Sequence, residues 1–321
     1  LSHLASFLPF FEVIPEIFAI FASAESPRRI PNPQTPPDLA ATKNTKPMQP
    51  TRICSLVFSP TGTTRRITAA IAQALGGPFE EIDLTRAAAP ATQIGPDAAA
   101  ILAAPVYGGR IPPAALERMA AVQGNGTPAV IVVVYGNRAF EGAAAELAAW
   151  AVGHGFRPVA AAAFVGEHSY SSPAAPIAAG RPDMQDLAEA AAFGTRIREK
   201  LLRDDLREVA VSRLRTPRTP LLSMLRFIRF VLAYRRRQRR NPVVRIPVAN
   251  AGKCTRCGRC ASLCPTQAIA PGDETRTDAA RCLRCCACVK GCPTGARSYD
   301  TPFAAALARN FARRKPPVTL L

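Results

Sequence analysis

CTRCGRCASLCP at residues 254–265 returns as CLRCCACVKGCP at residues 282–293, and both stretches follow the pattern C-x2-C-x2-C-x3-C-P. Eight of the ten cysteines in the chain belong to these two copies. A short loop with this spacing points three thiolates at a common centre, and the proline after the fourth cysteine turns the chain away from it. The copies continue alike, as CPTQA and CPTGA, which predicts two half-domains related by a pseudo-twofold axis.

Three kinds of site use cysteines at such short spacing. Structural zinc is held by C-x2-C pairs, and small secreted domains join paired cysteines in disulfides. Two full runs of four cysteines, each closed by proline, are not a zinc arrangement, and nothing in the sequence supports export. The pattern therefore favours iron–sulfur ligation.

Residues 246–300 resemble the bacterial two-cluster ferredoxins. The resemblance implies two 4Fe-4S clusters with crossed ligation, in which three cysteines of one run are joined by the fourth cysteine of the other. The first cluster would be held by Cys254, Cys257, Cys260 and Cys292, and the second by Cys282, Cys285, Cys288 and Cys264. We expect Cys54 to be a buried apolar thiol, and Cys286 is surplus to the ligand count. Cluster thiolates imply a reducing compartment, so we expect a cytoplasmic protein.

The region ahead of the cysteines has the pattern of an α/β domain. Apolar runs that predict strands alternate with alanine-rich stretches that predict helices, which is typical of a parallel sheet covered on both faces. We expect a doubly wound, five-stranded parallel sheet over residues 51–205, followed by a small α+β domain. The predicted strands are Arg52–Phe58, Phe79–Leu84, Ala98–Ala104, Pro128–Tyr135 and Arg157–Val165; the predicted helices are Arg65–Leu75, Pro112–Val122, Phe140–Gly153 and Asp183–Arg203.

The turn after the first strand is rich in hydroxyl groups and opens a helix. It reads Ser59-Pro60-Thr61-Gly62-Thr63-Thr64 and has neither the lysine of a P-loop nor the spaced glycines of a dinucleotide site. Amide and hydroxyl donors at a helix N-terminus suffice for a single phosphate monoester. The other interpretation is a Ser/Thr-rich helix cap. These residues resemble the phosphate loop of flavodoxins, and the resemblance implies FMN as cofactor, with contacts from Ser59, Thr61, Gly62, Thr63 and Thr64.

Two further loops lie where a flavodoxin-like sheet holds its flavin, beyond the strands at the switch point. The loop after the third strand offers Pro105, Val106, Tyr107 and Gly108, and the loop after the fourth offers Tyr135, Gly136 and Asn137. Tyr107 and either Tyr135 or Phe140 could flank the flavin ring, although Phe140 is more simply read as a core residue. His168, after the fifth strand, either hydrogen-bonds the flavin or relays a proton near neutral pH, or it is a structural group.

A basic connector separates the two regions. The net charge of +18 is confined to the C-terminal third: residues 206–245 carry twelve arginines against one acidic residue, and none of the residues from Arg213 to Arg245 is acidic. Leu221, Leu225, Ile228 and Leu232 recur there at helical spacing. The pattern predicts a basic amphipathic helix that docks an acidic redox partner or an anionic membrane surface, or that is a solvated linker packed on the α/β domain. It is too short and too charged to span a bilayer, and no recognition fold accompanies it that would indicate nucleic acid.

Taken together, the two regions resemble flavodoxin–ferredoxin fusion proteins. The resemblance implies an electron carrier that passes electrons between FMN and the two clusters and on to a partner, with no catalytic residue of its own. Two alternatives stay open: an FMN-dependent reductase of a small organic substrate fed by the clusters, and a binding module that acts through the basic connector. Residues 1–50 are expected to be unstructured or a mis-called extension ahead of Met48, and residues 301–321 a basic tail.

Overall fold

The computed structural model describes residues 50–321. The expectation for residues 1–49, including a start at Met48, lies outside these residues. None of the helices in the described part combines the length and the apolar character that crossing a membrane requires.

Five parallel strands form the centre of the fold, in the order β2-β1-β4-β6-β7. They are β1 (Ile53–Val57), β2 (Phe79–Asp83), β4 (Ala99–Pro105), β6 (Thr127–Tyr135) and β7 (Phe156–Val165). A separate pair of short parallel strands, β3 (Thr92–Ile94) and β5 (Val122–Gly124), stands beside the main sheet. Counting only the five main strands, the order is the 2-1-3-4-5 of the flavodoxin-like doubly wound fold, as predicted.

Helices cover both faces of this sheet because the central strands are apolar on both sides. Every residue of β4 and β6 is buried. Helices α1 (Thr63–Leu75) and α4 (Met184–Leu202) enclose one core with Ile67, Ile71 and Phe193. Helices α2 (Pro113–Met119) and α3 (Ala143–Gly153) enclose the other. The two helices of the first core approach closely at Gly194, where a Cβ atom would lie 2.5 Å from the Ile71 carbonyl oxygen.

A sixth strand, absent from the sequence-based prediction, extends the sheet. Strand β10 (Val318–Leu320) pairs antiparallel with β7, with Val318 opposite Ala163. Residues 301–321 are therefore no separate tail. They form helix α8 (Pro302–Asn310) and then return to the edge of the α/β sheet. The short apolar run of three residues gave too weak a period-2 pattern to predict a strand.

The connector forms helix α5 (Leu221–Arg240), and its buried face is not the leucine stripe that the linker interpretation packs on the α/β domain. Its buried residues are Phe227 and Val231, which pack toward α8 and its flanking residue Phe311. Leu221, Leu225 and Leu232 are exposed instead. The aromatic rings, one or two positions away from the leucines, offer more apolar area and form edge-on contacts such as that of Phe227 with Phe311, 5.0 Å between centroids.

The cysteine region keeps the predicted repeat in its backbone. Strands β8 (Val248–Ala249) and β9 (Arg297–Ser298) pair antiparallel, and each cysteine run carries one short helix, α6 (Arg259–Ser262) and α7 (Ala287–Lys290). Left-handed residues recur 28 positions apart, as Arg256 and Arg284, Gly258 and Cys286, and Gln267 and Gly295. Cys286 thus stands where the first copy has glycine, and its thiol is buried and contacts the Arg284 carbonyl oxygen at 3.6 Å.

Candidate functional site

Cys264 of the first run lies among the cysteines of the second run. Burial, with smaller contributions from the neighbouring thiols of Cys288, Cys264 and Cys282, raises the pKa of the Cys285 thiol to about 12. Burial also raises the pKa of Cys282, with Cys264 adding to the increase. Cys264 is thus close enough to the second run to interact with its thiols, which is compatible with the predicted crossed ligation.

Backbone N–H groups are directed at the fourth cysteine of each run. The N–H of Ala268 donates to Cys264 Sγ at 3.2 Å. The pKa of Cys292 is lower than that of an ordinary thiol. Slight burial raises it, but hydrogen bonds from the N–H groups of Arg297, Thr294 and Ala296 outweigh this effect. Hydrogen bonds to sulfur stabilise the thiolate and help to set the potential of an iron–sulfur centre. Within residues 50–321, no group of three or more His, Cys, Asp or Glu side chains is arranged so that it could coordinate a single metal ion.

The first cysteine set is the more accessible of the two. Cys257 is exposed and Cys254 half-buried, whereas Cys285 and Cys288 are buried. Cys260 and Cys288 meet at Ile269 between the two short helices. The second set is therefore the interior one, and the first reaches the surface.

A buried arginine lies between the two sets. Arg297 is 3% exposed, and its Nη1 lies 4.0 Å from Cys260 Sγ. Burial is the largest effect on Cys288 and its pKa is raised to about 11, while the charge of Arg297 opposes this increase. The other partners of its Nη atoms are neutral oxygens, among them the carbonyls of Glu274 and Pro247. Thiolates that ligate a cluster would supply the negative charge that this buried guanidinium requires. In the first copy of the repeat, the same position is Ile269.

The loop predicted to bind phosphate borders a cavity of 160 Å³. Gly62 precedes α1 with a φ of +79° and has no side chain that could cap that helix, and the first turn has no acidic residue. The hydroxyl of Thr64 is buried without a hydrogen-bond partner, while Ser59 Oγ accepts the N–H of Arg65. The cavity is lined by Thr61, Thr63, Arg66, Glu167, Gly180, Arg181 and Lys290. Arg181 and Lys290 are paired with Asp186 and Glu167. The amide groups at the helix N-terminus and the charge of Arg66 favour an anion here.

The loop after β4 faces the second cysteine run. Burial raises the pKa of Tyr107 well above its ordinary value; the thiols of Cys285 and Cys286 add to the increase, and a hydrogen bond with Ser169 opposes it. Val106 and Leu283, which lies between two cysteines of the second run, both pack against the same core. Pro105 ends the strand in a buried position, and Gly108, with a φ of +63°, has open space where a side chain would be.

The loop after β6 is held by contacts with other segments of the chain. Tyr135 is buried, and its ring meets Phe140 edge-on at 5.4 Å, so the interpretation of Phe140 as a core residue is confirmed. A Cβ on Gly136 would lie 2.2 Å from the His168 ring. Asn137 Nδ2 donates to the carbonyl oxygens of Phe311 and Arg313, at 2.6 and 2.9 Å. Tyr135 and Asn137 therefore serve the core and the C-terminal segment, contacts that the local sequence does not reveal.

His168 is not suited to relay protons near neutral pH. Burial lowers its pKa to about 3, with Arg138 and Lys290 lowering it further. Its Nδ1 lies 3.0 Å from the N–H of Tyr170, from which it accepts a hydrogen bond as a neutral ring. The structure favours the interpretation of His168 as a structural group.

The cysteine region is joined to the α/β region by polar and aromatic contacts. Lys290 forms an ion pair with Glu167 at 2.6 Å, and the rings of Tyr170 and Tyr299 meet edge-on at 5.0 Å. Arg86 donates to the Ser262 carbonyl oxygen at 2.9 Å. These contacts place the second cysteine run beside the phosphate-loop cavity and the Tyr107 loop.

Comparisons with known proteins give one family match and several matches of fold. Residues 247–270 match the 4Fe-4S binding domain family. No curated protein matches the chain.

Similar solved structures include a flavodoxin from the domain Archaea, 14% identical over 47% of this chain and 98% of that one, with a TM-score of 0.31. A Streptococcus pneumoniae TIGR4 flavodoxin is 20% identical over 46% and 97%, with a TM-score of 0.32. The rubredoxin oxygen:oxidoreductase of Desulfovibrio gigas is 15% identical over 50% and 38%, with a TM-score of 0.34. Independently of these scores, the strand order and the family match show a flavodoxin-like α/β region followed by a 4Fe-4S binding domain, which is consistent with a flavodoxin–ferredoxin fusion.

Proposed function

We propose that this protein passes electrons between bound FMN and two 4Fe-4S clusters, and on to a redox partner. The observation that carries the proposal is the position of Tyr107, on the loop where a flavodoxin-like sheet binds its flavin ring, near Cys285 and Cys286. A flavin exchanges two electrons or one, and each cluster exchanges one, so the pair would couple two-electron and one-electron chemistry.

The residues present fit FMN at its phosphate end. Gly62 leaves open space for close approach to the first turn of α1, and the buried hydroxyl of Thr64 has no hydrogen-bond partner among the described residues. Arg66 and Lys290 add positive charge at the same cavity. The loop of Ser59 to Thr64 would hold the phosphate, and Pro105 to Gly108 would border the ring. Lys290, two residues after Cys288, would link the flavin site to the second cluster.

The test is a count of cofactors in anaerobically purified protein. We expect about eight iron and eight sulfide per chain from two clusters, and one FMN. Gly62→Val should abolish FMN retention without lowering the iron content, because a β-branched residue there is strained and crowds the phosphate. Gly126→Val is the matched control: Gly126 also has positive φ and open space, but lies away from the loop. Equal flavin loss in both variants, or no flavin uptake by the wild type, would refute the FMN site.

We further infer that an acidic redox partner docks near α5. Arg236, Arg237, Arg239 and Arg240 are exposed on its last turns, and the exposed Cys257 belongs to the more accessible cysteine set. Changing these four arginines to Gln should slow electron transfer to an acidic acceptor and flatten its salt dependence, since exposed charges are screened over about 10 Å at 0.1 M salt. Rates with an unchanged salt dependence would leave α5 as a linker helix.

A further inference from the structure

A second cationic cavity lies between the connector and the C-terminal segment, and the electron-transfer proposal does not use it. Its volume is 250 Å³, and its polar lining consists of Arg218, Thr219, Asn310, Arg313, Arg314 and Lys315. None of the described residues that line it is acidic. It therefore concentrates positive charge in one place.

The N-terminus of a long helix opens onto the same cavity. Helix α5 has 20 residues and begins after Pro220, which lines the cavity. No side chain caps it, its first turn has no acidic residue, and its first α-helical bond is from the N–H of Met224 to the Pro220 carbonyl oxygen. The free N–H groups and the helix dipole add partial positive charge.

Lys315 is a buried cation that has no carboxylate partner among residues 50–321. It is 5% exposed, and its Nζ donates to the Arg138 carbonyl oxygen at 2.6 Å and to Thr219 Oγ1 at 3.0 Å. An ammonium group has three donors, so one is left beyond these two bonds. The Phe311 ring, 5.7 Å away, offers a cation–π contact. Burial without a countercharge lowers the pKa of Lys315 to about 8, and Arg138 lowers it further.

The other charged side chains at the cavity do not neutralise the positive charge of Lys315. Arg314 is offset by Asp183 and Asp186. Arg218 and Arg313 are exposed at its mouth, and neither forms an ion pair with a residue in the part of the chain that the structure describes. Asn310, which is buried, has its Oδ1 without a hydrogen-bond partner. That oxygen can accept a hydrogen bond from a hydroxyl group, while the cations of the lining attract an anion.

We propose that this cavity binds a phosphate group, with Arg218, Arg313, Lys315 and the N-terminus of α5 around its oxygens and Asn310 accepting a hydroxyl. The source is either a soluble phosphate compound or the headgroup of an anionic phospholipid. Leu221 and Leu222 follow Pro220 and are 67% and 59% exposed, so a headgroup in the cavity would leave two leucines facing the acyl chains.

The experiment compares two double variants of the full-length protein loaded with iron and FMN. Arg218→Gln with Arg313→Gln removes two exposed cavity charges, and Arg236→Gln with Arg237→Gln removes two charges from the other end of α5. Inorganic phosphate is titrated by calorimetry and by ³¹P NMR. We expect binding to weaken at least about tenfold in the first variant and to stay as in the wild type in the second.

A parallel arm uses sedimentation with phosphatidylglycerol or phosphatidylcholine vesicles. Retention by the anionic vesicles alone, lost in the Arg218/Arg313 variant and weakened by Leu221→Ser with Leu222→Ser, would identify the lipid as the source. Loss of phosphate affinity in the Arg218/Arg313 variant, together with no retention of the wild type by vesicles, would identify a soluble ligand. The proposal is overturned if neither probe distinguishes the two double variants, or if phosphate binding is lost only with Gly62→Val, which would assign it to the flavin loop.

Discussion

Replacing Arg297 by isoleucine should make both of the proposed 4Fe-4S clusters harder to reduce. The change gives the second copy of the repeat the residue that the first copy has at Ile269. In the wild type, a guanidinium that is almost fully buried lies 4.0 Å from Cys260 Sγ and interacts with Cys288 of the other set. A fixed positive charge at that position stabilises the electron that either cluster gains.

The size of the effect follows from Coulomb's law. At an effective dielectric constant of about 20, a unit charge at about 4 Å is worth about 4 kcal/mol. The added electron is spread over the cluster, whose centre is farther away, and at about 8 Å the energy is about 2 kcal/mol. At about 59 mV for each 1.4 kcal/mol, the midpoint potentials should fall by about 90 mV.

The measurement is an anaerobic redox titration followed by EPR, with iron counted in every sample. Arg297→Ile also removes hydrogen bonds to the carbonyls of Glu274 and Pro247, so two further variants separate charge from packing. Arg297→Lys keeps the charge and should stay within about 30 mV of the wild type, and Arg297→Gln removes it and should follow the isoleucine variant. Unchanged potentials in both neutral variants, at full iron content, would refute this reasoning.

Two other predictions concern single side chains. Cys264→Ala should lower the iron content from about eight to about four per chain, with the loss in the cluster on Cys282, Cys285 and Cys288; EPR that shows this cluster intact and the one on Cys254 lost would show that ligation is not crossed. The pKa of Lys315 is lowered from 10.5 to about 8 by burial, so the unfolded chain binds more protons in that window and the stability from this residue rises with pH. In phosphate-free buffer, the unfolding free energy of the wild type relative to Lys315→Met should therefore increase from about pH 8 to about pH 10.5, and a difference independent of pH would contradict the burial of an uncompensated charge.

The sheet could be predicted from the sequence because its strands are apolar on both faces and local in the chain. The continuous apolar run from Val130 to Val134 is typical of a buried strand. The five main strands agree with their predicted ranges to within one residue at either end. The helix ends shift more, by up to three residues, since capping depends on the neighbouring loops.

The parts that the sequence left unresolved depend on contacts between distant residues. Asn137 was grouped with a flavin loop, but its amide is fixed by carbonyls more than 170 positions later. The sequence left open whether the leucine stripe of α5 packs on the α/β domain or faces a partner or a membrane. Leucines and aromatic residues compete for the same helix, and the contacts with α8 decide which of them are buried. Arg297 carried a usable signal: superposing the two cysteine runs sets it against Ile269, a charge where the repeat has an apolar residue.

The antiparallel pairing of β10 has a consequence for synthesis. Residues 318–320 are translated after both cysteine runs, so Ala161 to Ala163, the residues of β7 with which they pair, stay an open strand edge on the nascent chain until then. An unpaired strand edge can associate with other chains. Assembly of the iron centres can begin before the edge is closed. The order of synthesis thus places the addition of β10 after both cysteine runs, and a chain arrested directly after the second run would carry all eight of their cysteines on a sheet that lacks β10.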